Sequence, residues 1–410
     1  MSTTPSYYAG GLTRAQVTTW RNGVFVIFAV SGIGIASWMA RMPAVKDALG
    51  VNTAEIGILI LGAAIGSILG LLASSHIIDR FGARLIMTWC LVVGPLGLAI
   101  AGFGVTVGQS FWLVFAGLAI FGAGMAICDV GMNLSGAVNE RVLKRTIMPV
   151  FHAFFSFGTM IGAGIGALAE LAQVPIVVQA AVVSGGIIVA GLLGVRATQS
   201  ERLLQAETPE VDHSTTWRQR LGIWRDPRTL LIGLIVLGMA FAEGSANDWL
   251  ALTMVEGHGV DKPTGAVIFG VFVTAMTVGR LSGVRLLDRY GRVPVLRGSA
   301  ALAAVGLLIV IFVPSPWIAV FGVVLWGLGA ALGFPTGMSA AADDPKTAAA
   351  RVSAVATIGY LAFLVGPPVI GFLGEQVGLL NALLVVLVLV AVAGAMSHAA
   401  REPQLRSPRP

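Results

Sequence analysis

Asp129 stands alone in Phe121–Ala137, FGAGMAICDVGMNLSGA, a stretch otherwise built of apolar and small residues. A charge at mid-bilayer depth costs roughly 2.5–3.5 kcal/mol on insertion scales, so such a carboxylate should face a bundle interior or an aqueous cavity. Taking up a proton removes that cost, which makes Asp129 a candidate proton carrier. Asn133 follows four residues later on the same helical face, where its amide can bond the carboxylate or a polar solute. A second constellation lies in GMAFAEGSANDWLALTM, where Glu243 and Asn247 share a face and are followed by Asp248 and Trp249. Glu243 reads as a substrate-binding or second proton-carrying group, with Asn247 and Trp249 near the solute. Trp38, near the end of the first apolar run, is the approximate counterpart of Trp249.

Three further groups could join them. His152 falls within roughly 5 Å of Asp129 in depth along the helix axes and could relay its proton. Arg280 is the one deeply placed base, able to bind an anionic part of a solute or to pair with a carboxylate. Arg41 and Asp248, each near the outer end of its apolar run, suggest a salt bridge that closes the outer side. Each has a plainer reading: a bridge between helices, a histidine satisfied by a carbonyl, a snorkelling arginine, or charges resting at the interface.

Positioning these groups requires spanning helices. Apolar residues make up 56% of the 410-residue chain and charged residues 11%, against roughly 25% charged in an ordinary soluble domain. Apolar runs of the roughly 20 residues that cross a bilayer recur near 21–40, 55–77, 84–104, 111–137, 147–170, 175–196, 228–252, 264–287, 293–313, 315–338, 349–374 and 378–399. The expected fold is an all-α membrane protein of twelve transmembrane helices in two pseudo-symmetric six-helix halves, 1–196 and 228–410. The linker between them, 197–227, carries SERLLQAETPEVDHSTTWRQR and reads as cytoplasmic, with a short amphipathic surface helix.

Basic residues gather in alternate breaks, among them Arg80 and Arg84, Arg141, Lys144 and Arg145, Arg285 to Arg297, and Arg401 to Arg409. The opposite breaks hold Arg41, Lys46 and Lys262. This pattern places both termini in the cytoplasm and the protein in the inner, cytoplasmic membrane, with the lipid bilayer as its surroundings. It also accounts for the +6 net charge, so nucleic-acid binding is rejected. Cys90 and Cys128 lie inside apolar runs and read as small core residues, with neither disulfide nor metal spacing. No cofactor and no metal are expected. The chain has no G-x-x-x-x-G-K-[ST], which argues against an ATP-driven pump, and neither H-E-x-x-H nor G-x-S-x-G, which argues against a membrane-embedded hydrolase.

Glycines at 62, 66 and 70, and at 158, 162 and 166, form small-residue seams that let helices approach closely. Gly366-Pro367-Pro368 should break or bend the eleventh span and Pro335 the tenth. Pro335 holds the position that Asp129 holds in the first half.

The halves repeat each other. IIDRFGARL at Ile77 to Leu85 returns as LLDRYGRVP at Leu286 to Pro294, and Asp79 and Asp288 are 288 − 79 = 209 residues apart. Transporters built from such repeats usually bind their solute at the midplane between the halves and rock one half against the other. A D-R-x-G loop after the second and eighth spans of such a chain resembles the major facilitator superfamily, over nearly the whole length. The first copy lacks the family's usual glycine four residues before the aspartate, where Ser75 stands, and in the second the nearest glycine, Gly283, is one place early. The resemblance implies gate residues at Asp79, Arg80, Arg84, Asp288, Arg289 and Arg292, joined by Arg41 and Asp248.

Within the superfamily the chain is similar to the fucose permease and rhizopine-cluster branch. The similarity rests on Asp129 with Asn133, on Ser37-Trp38-Met39-Ala40-Arg41-Met42-Pro43 and on F-H-x-x-F-S at Phe151 to Ser156. It implies a proton-coupled carrier of a small polar solute; the expected protein is a monomer that moves a sugar- or polyol-like solute by alternating access. The first span has no carboxylate where fucose permease has one, so sugar specificity does not carry over. The competing reading is a proton-antiporting exporter of drugs or metabolites.

Overall fold

The computed structural model of the chain describes residues 11–145, 147–200, 222–344 and 347–402. Among the described residues, 12 helices are long and apolar enough to cross a membrane. The amphipathic helix expected in the linker lies outside the described residues for most of its length. The chain folds as two compact units, Met1–Val211 with Lys262–Gly270, and Asp212–Asp261 with Val271–Pro410.

In the first unit the spanning helices are α1 (Arg14–Met39), α3 (Thr53–Phe81), α4 (Ala83–Thr106), α5 (Phe111–Leu143), α6 (Met148–Leu171) and α7 (Ile176–Ala197). The short α2 (Met42–Leu49), not expected from the hydropathy pattern, follows α1. Polar caps fix where several begin. Thr13 and Gln16 form a capping box, so α1 starts before its apolar run, and Asn52 with Glu55 does the same for α3. Trp20 is consequently drawn into the core, its indole N–H donating to Ser135 Oγ at 2.9 Å. The expected seams are present: a Cβ added at Gly66 would lie 2.0 Å from the Ala119 carbonyl, and one at Gly158 2.0 Å from that of Ala29. They clamp α3 to α5 and α1 to α6.

The second unit holds α8 (Pro227–His258), most of α9 (Lys262–Tyr290), α10 (Arg292–Phe312), α11 (Pro316–Ala330), α12 (Gly333–Ala341), α13 (Ala348–Val377), α14 (Leu379–Ala382) and α15 (Leu384–Met396). A 3-10 turn at Ser397–Ala400 follows. The tenth span is split between α11 and α12 at Ala331–Leu332, four and three residues before Pro335, which has no N–H to return to that turn. The eleventh behaves otherwise. α13 runs without interruption through Pro367 and Pro368, contrary to a full break, because only the two proline N–H bonds are lost from a 30-residue helix.

In each unit the D-R-x-G loop is a direct helix-to-helix turn. Gly82 (φ 86°, ψ 145°) joins α3 to α4 and Gly291 (φ 75°, ψ 171°) joins α9 to α10, in a backbone region open only to glycine.

Candidate functional site

Asp129 sits 18 residues along α5, about 27 Å from its first residue. Its side chain is exposed. Asn133, one turn on, donates its amide to Asp129 Oδ1 at 3.2 Å and to the Asp129 carbonyl at 2.9 Å. Asp129 makes no ion pair among the described residues. The arrangement suits a carboxylate that can be charged toward water and neutral in an apolar setting, with an amide beside it that accommodates either form. His152 on α6 is exposed, and its ring meets Phe28 edge-on, with centroids 5.2 Å apart.

In the second unit Arg280 of α9 donates to Glu243 of α8 at 2.7 Å, with side chains 31% and 16% exposed. Of the two roles open to Arg280, this geometry gives it the carboxylate partner. Asn247 lies one turn beyond Glu243 and makes no side-chain hydrogen bond among the described residues. The unit therefore presents a net-neutral ion pair with an unengaged amide on the same helical face, which suits a polar solute rather than an isolated charge.

Both tryptophans are buried within their own units: Trp249 is 0% exposed and Trp38 3%. Their ring N–H groups are buried and unbonded.

Arg41 is engaged within its own unit. It ion-pairs with Glu170, donates to Gln179 Oε1 at 2.6 Å and to the Val174 carbonyl at 3.0 Å, all in the first unit. Arg41 and Glu170 side chains are each 6% exposed, so the guanidinium sits in a buried cluster. Asp248 is half-buried and forms no ion pair among the described residues.

The two D-R-x-G loops differ in what holds them. In the first, Asp79 is exposed, Arg80 lies over the Phe81 ring at 5.3 Å, and Arg84 donates to the Arg196 carbonyl at 3.2 Å. In the second, Asp288 is exposed and Arg289 lies over Tyr290 at 5.3 Å, but Arg292 ion-pairs with Asp343 at 2.6 Å and donates to Ser339 Oγ at 3.1 Å. Asp343 also takes Arg228 at 2.8 Å. Arg228 in turn donates to the carbonyls of Ala399 and Arg401, tying the chain's last described turn to the start of α8.

Glu170, Gln179, Asp343 and Arg228 were not among the residues singled out from sequence. Glu170 carried a signal, being an acid just inside an apolar run; Asp343 looked like an ordinary loop acid. At the same end of the second unit Asp226 caps α8 and ion-pairs with Arg351 at 3.0 Å. Burial pushes its carboxyl up, yet the Thr229 bonds and the Arg351 charge outweigh that and leave it below the ordinary value.

The family model described as Major Facilitator Superfamily matches residues 24–281 and 239–410. The chain belongs to the major facilitator superfamily. An uncharacterised transporter of that type from Yersinia pestis is 31% identical over 350 residues, covering 85% of this chain and 87% of that one. An uncharacterised transporter of Sinorhizobium fredii is 30% identical over 385 residues, covering 91% and 98%. The membrane protein MosC of Rhizobium meliloti is 27% identical over 383 residues, covering 92% and 90%. Among solved structures, a mutant of the nucleoside transporter NupG superposes with a TM-score of 0.75 at 14% identity, covering 94% and 100%. The Escherichia coli fucose:proton symporter FucP does so at 0.65 and 16% identity, covering 95% and 100%. This major facilitator protein is thus a multi-pass membrane transporter and not an enzyme. The expected resemblance to the fucose permease and rhizopine-cluster proteins finds its counterpart in FucP and MosC.

Proposed function

We propose that this transporter couples the movement of a small polar solute, sugar- or polyol-like, to that of a proton. It works by alternating access, as a monomer in the inner membrane with both termini cytoplasmic. Asp129 carries the proton, and Asn133, Glu243 and Asn247 contact the solute, with Arg280 orienting Glu243. The observation that carries this reading is Asp129 itself, a mid-span carboxylate bonded, among the described residues, by the Asn133 amide alone. With no cation beside it among the described residues, it sheds its desolvation cost by protonation when water leaves the site, which lowers the free energy of the closed intermediate. The neutral Glu243–Arg280 pair supports a solute rich in hydroxyls over a cationic drug. NupG is a nucleoside transporter and FucP a fucose:proton symporter, and both solutes contain a sugar.

Proteoliposomes holding wild-type or Asp129→Asn protein, with external pH recorded as sugars, polyols, amino acids and cationic drugs are added, test this directly. Alkalinisation outside on adding a sugar or polyol, lost in the variant, is the expected result. Flux evoked only by drugs and of opposite sign would establish the exporter instead. Equal flux in both proteins would make Asp129 structural.

A further inference from the structure

Each half carries a groove on its surface, and the two grooves occupy equivalent positions. In the first unit a trough of about 390 Å³ lies between α3, α4 and α5, lined in part by Ile77, Ile86, Trp89, Cys90 and Val93. In the second a trough of about 370 Å³ lies between α9, α10 and α11, lined in part by Leu286, Val295, Gly298, Ser299 and Leu302. Adding 209, the spacing of the two D-R-x-G loops, to the first set of numbers gives the second. The groove is thus a property of the repeated fold, and the side chains have diverged within it.

The divergence is chemical. The first trough has apolar walls throughout, and Trp89 projects at the position of Gly298. A Cβ added at Gly298 would meet nothing within 4 Å, so the second trough is open there. Its α9 wall runs from Gly279 through Ser282 and Leu286 to Tyr290. Those 290 − 279 = 11 residues span about 16 Å at 1.5 Å each, close to half of a roughly 30 Å hydrocarbon core. Tyr290, at the mouth, is 53% exposed, where an amphipathic ring meets the headgroup layer.

At the mouth the same offset pairs Arg289 with Arg80, each lying over the ring that follows it at 5.3 Å, but pairs Arg285 with His76, so the second mouth carries one more guanidinium. Arg285 and Arg289 are exposed and form no ion pair among the described residues. On a helix of 100° per residue Arg289 lies about 60° from Leu286 and Arg285 about 100°, on the same side, while Asp288 points about 160° away. Two guanidiniums with no carboxylate partner among the described residues thus lie beside the open end of an apolar trough one leaflet long, Arg289 over the Tyr290 ring.

We propose that the second-half groove binds an anionic phospholipid, one acyl chain lying between α9 and α10 and the phosphate held by Arg289 and Arg285. The guanidinium fork suits phosphate, and the trough excludes the headgroup by its apolar walls. No solute is needed for this binding, so it stands or falls apart from the role of Asp129.

The test is native mass spectrometry of the purified, delipidated full chain titrated with phosphatidylglycerol or with phosphatidylcholine of the same acyl chains. Wild type is expected to retain one phosphatidylglycerol under activation that strips phosphatidylcholine. Gly298→Trp, which fills the trough from a position with free space around it, should lose that lipid. Arg285→Gln with Arg289→Gln, on the exposed surface, should lower phosphatidylglycerol retention to the phosphatidylcholine level, and Trp89→Gly in the first half should leave it unchanged. Retention of phosphatidylglycerol by Gly298→Trp as in wild type would overturn the groove. Equal retention of the two lipids by wild type, or an undiminished preference in the double arginine variant, would overturn the anionic headgroup.

Discussion

The two halves manage their mid-span carboxylates in opposite ways. Asp129 in α5 has an amide for company and is exposed; Glu243 in α8 has Arg280 at 2.7 Å and is largely covered. A carboxylate fixed to a guanidinium is held in place, and removing either partner strands the other. A carboxylate beside an amide carries no such constraint. The same duplicated scaffold therefore holds one carboxylate without an ion pair among the described residues and one oriented by a cation. The proposed division of roles follows: the proton on the first half, the solute's polar anchor on the second.

That division predicts unequal losses. Asp129→Asn should reduce solute-evoked proton flux to background, whereas Glu243→Gln should weaken solute binding and leave residual coupled flux measurable in the same vesicles. A coupled flux surviving in Asp129→Asn and absent from Glu243→Gln would exchange the two roles. The next largest effect is on stability. Arg280→Gln leaves Glu243 without its cation; removing one partner of a fully buried pair costs about 3–5 kcal/mol, and with these side chains part-exposed about 2–3 kcal/mol is expected. Neutralising both, Glu243→Gln with Arg280→Gln, should recover most of that loss in thermal unfolding in detergent. Asp129→Asn should change stability little, since no ion pair is broken. A double variant no more stable than Arg280→Gln would mean that the pair does not act as a unit.

Sequence exposed the part of this that depends on composition and register. Asp129, Asn133, Glu243 and Arg280 could be found because a polar residue in an apolar run is costly wherever the helix lies, and the i, i+4 spacing fixes which residues share a face. The glycine seams were legible for the same reason, as a close approach needs a missing Cβ at each turn. Partners across helices were not. Depth along the membrane is shared by every helix and names no partner, so the pairing of Arg41 with Glu170 on α6 is not legible in the sequence. The burial of Trp38 and Trp249 is not legible either, because rotation about the helix axis decides it and sequence spacing alone does not fix that rotation. Asp343 was invisible because nothing in a loop acid's neighbours announces two arginines from α8 and α10.

The same contrast extends to the loops. Asp343 has a 6% exposed side chain and serves Arg292 and Arg228 together, so Asp343→Asn should cost about 1–2 kcal/mol, an ion-pair figure reduced for the exposed arginines. Asp79→Asn, at an exposed acid of the first loop, should stay within about 0.5 kcal/mol. Thermal melts of the two variants side by side decide it, and equal losses would mean that the first loop is anchored as firmly as the second.

The smallest effect concerns pH, and again falls on the second half. Asp226 caps α8 and faces Arg351, and its carboxyl is held below the ordinary value of about 3.9 by the Thr229 bonds and the Arg351 charge against the opposing push of burial. A depressed folded-state pKa means that the unfolded chain binds the proton more readily. The contribution is therefore complete above the unfolded value and is lost as pH falls through the folded one. The difference in melting temperature between wild type and Asp226→Asn should be constant from neutral pH down to about 5, then shrink as the acid limb is entered. Arg351→Gln should reduce the difference at neutral pH, because the Thr229 bonds remain while the charge is gone. A wild-type advantage that persists unchanged through the acid limb would show that Asp226 acts through its shape as a cap, with no contribution from its ionisation.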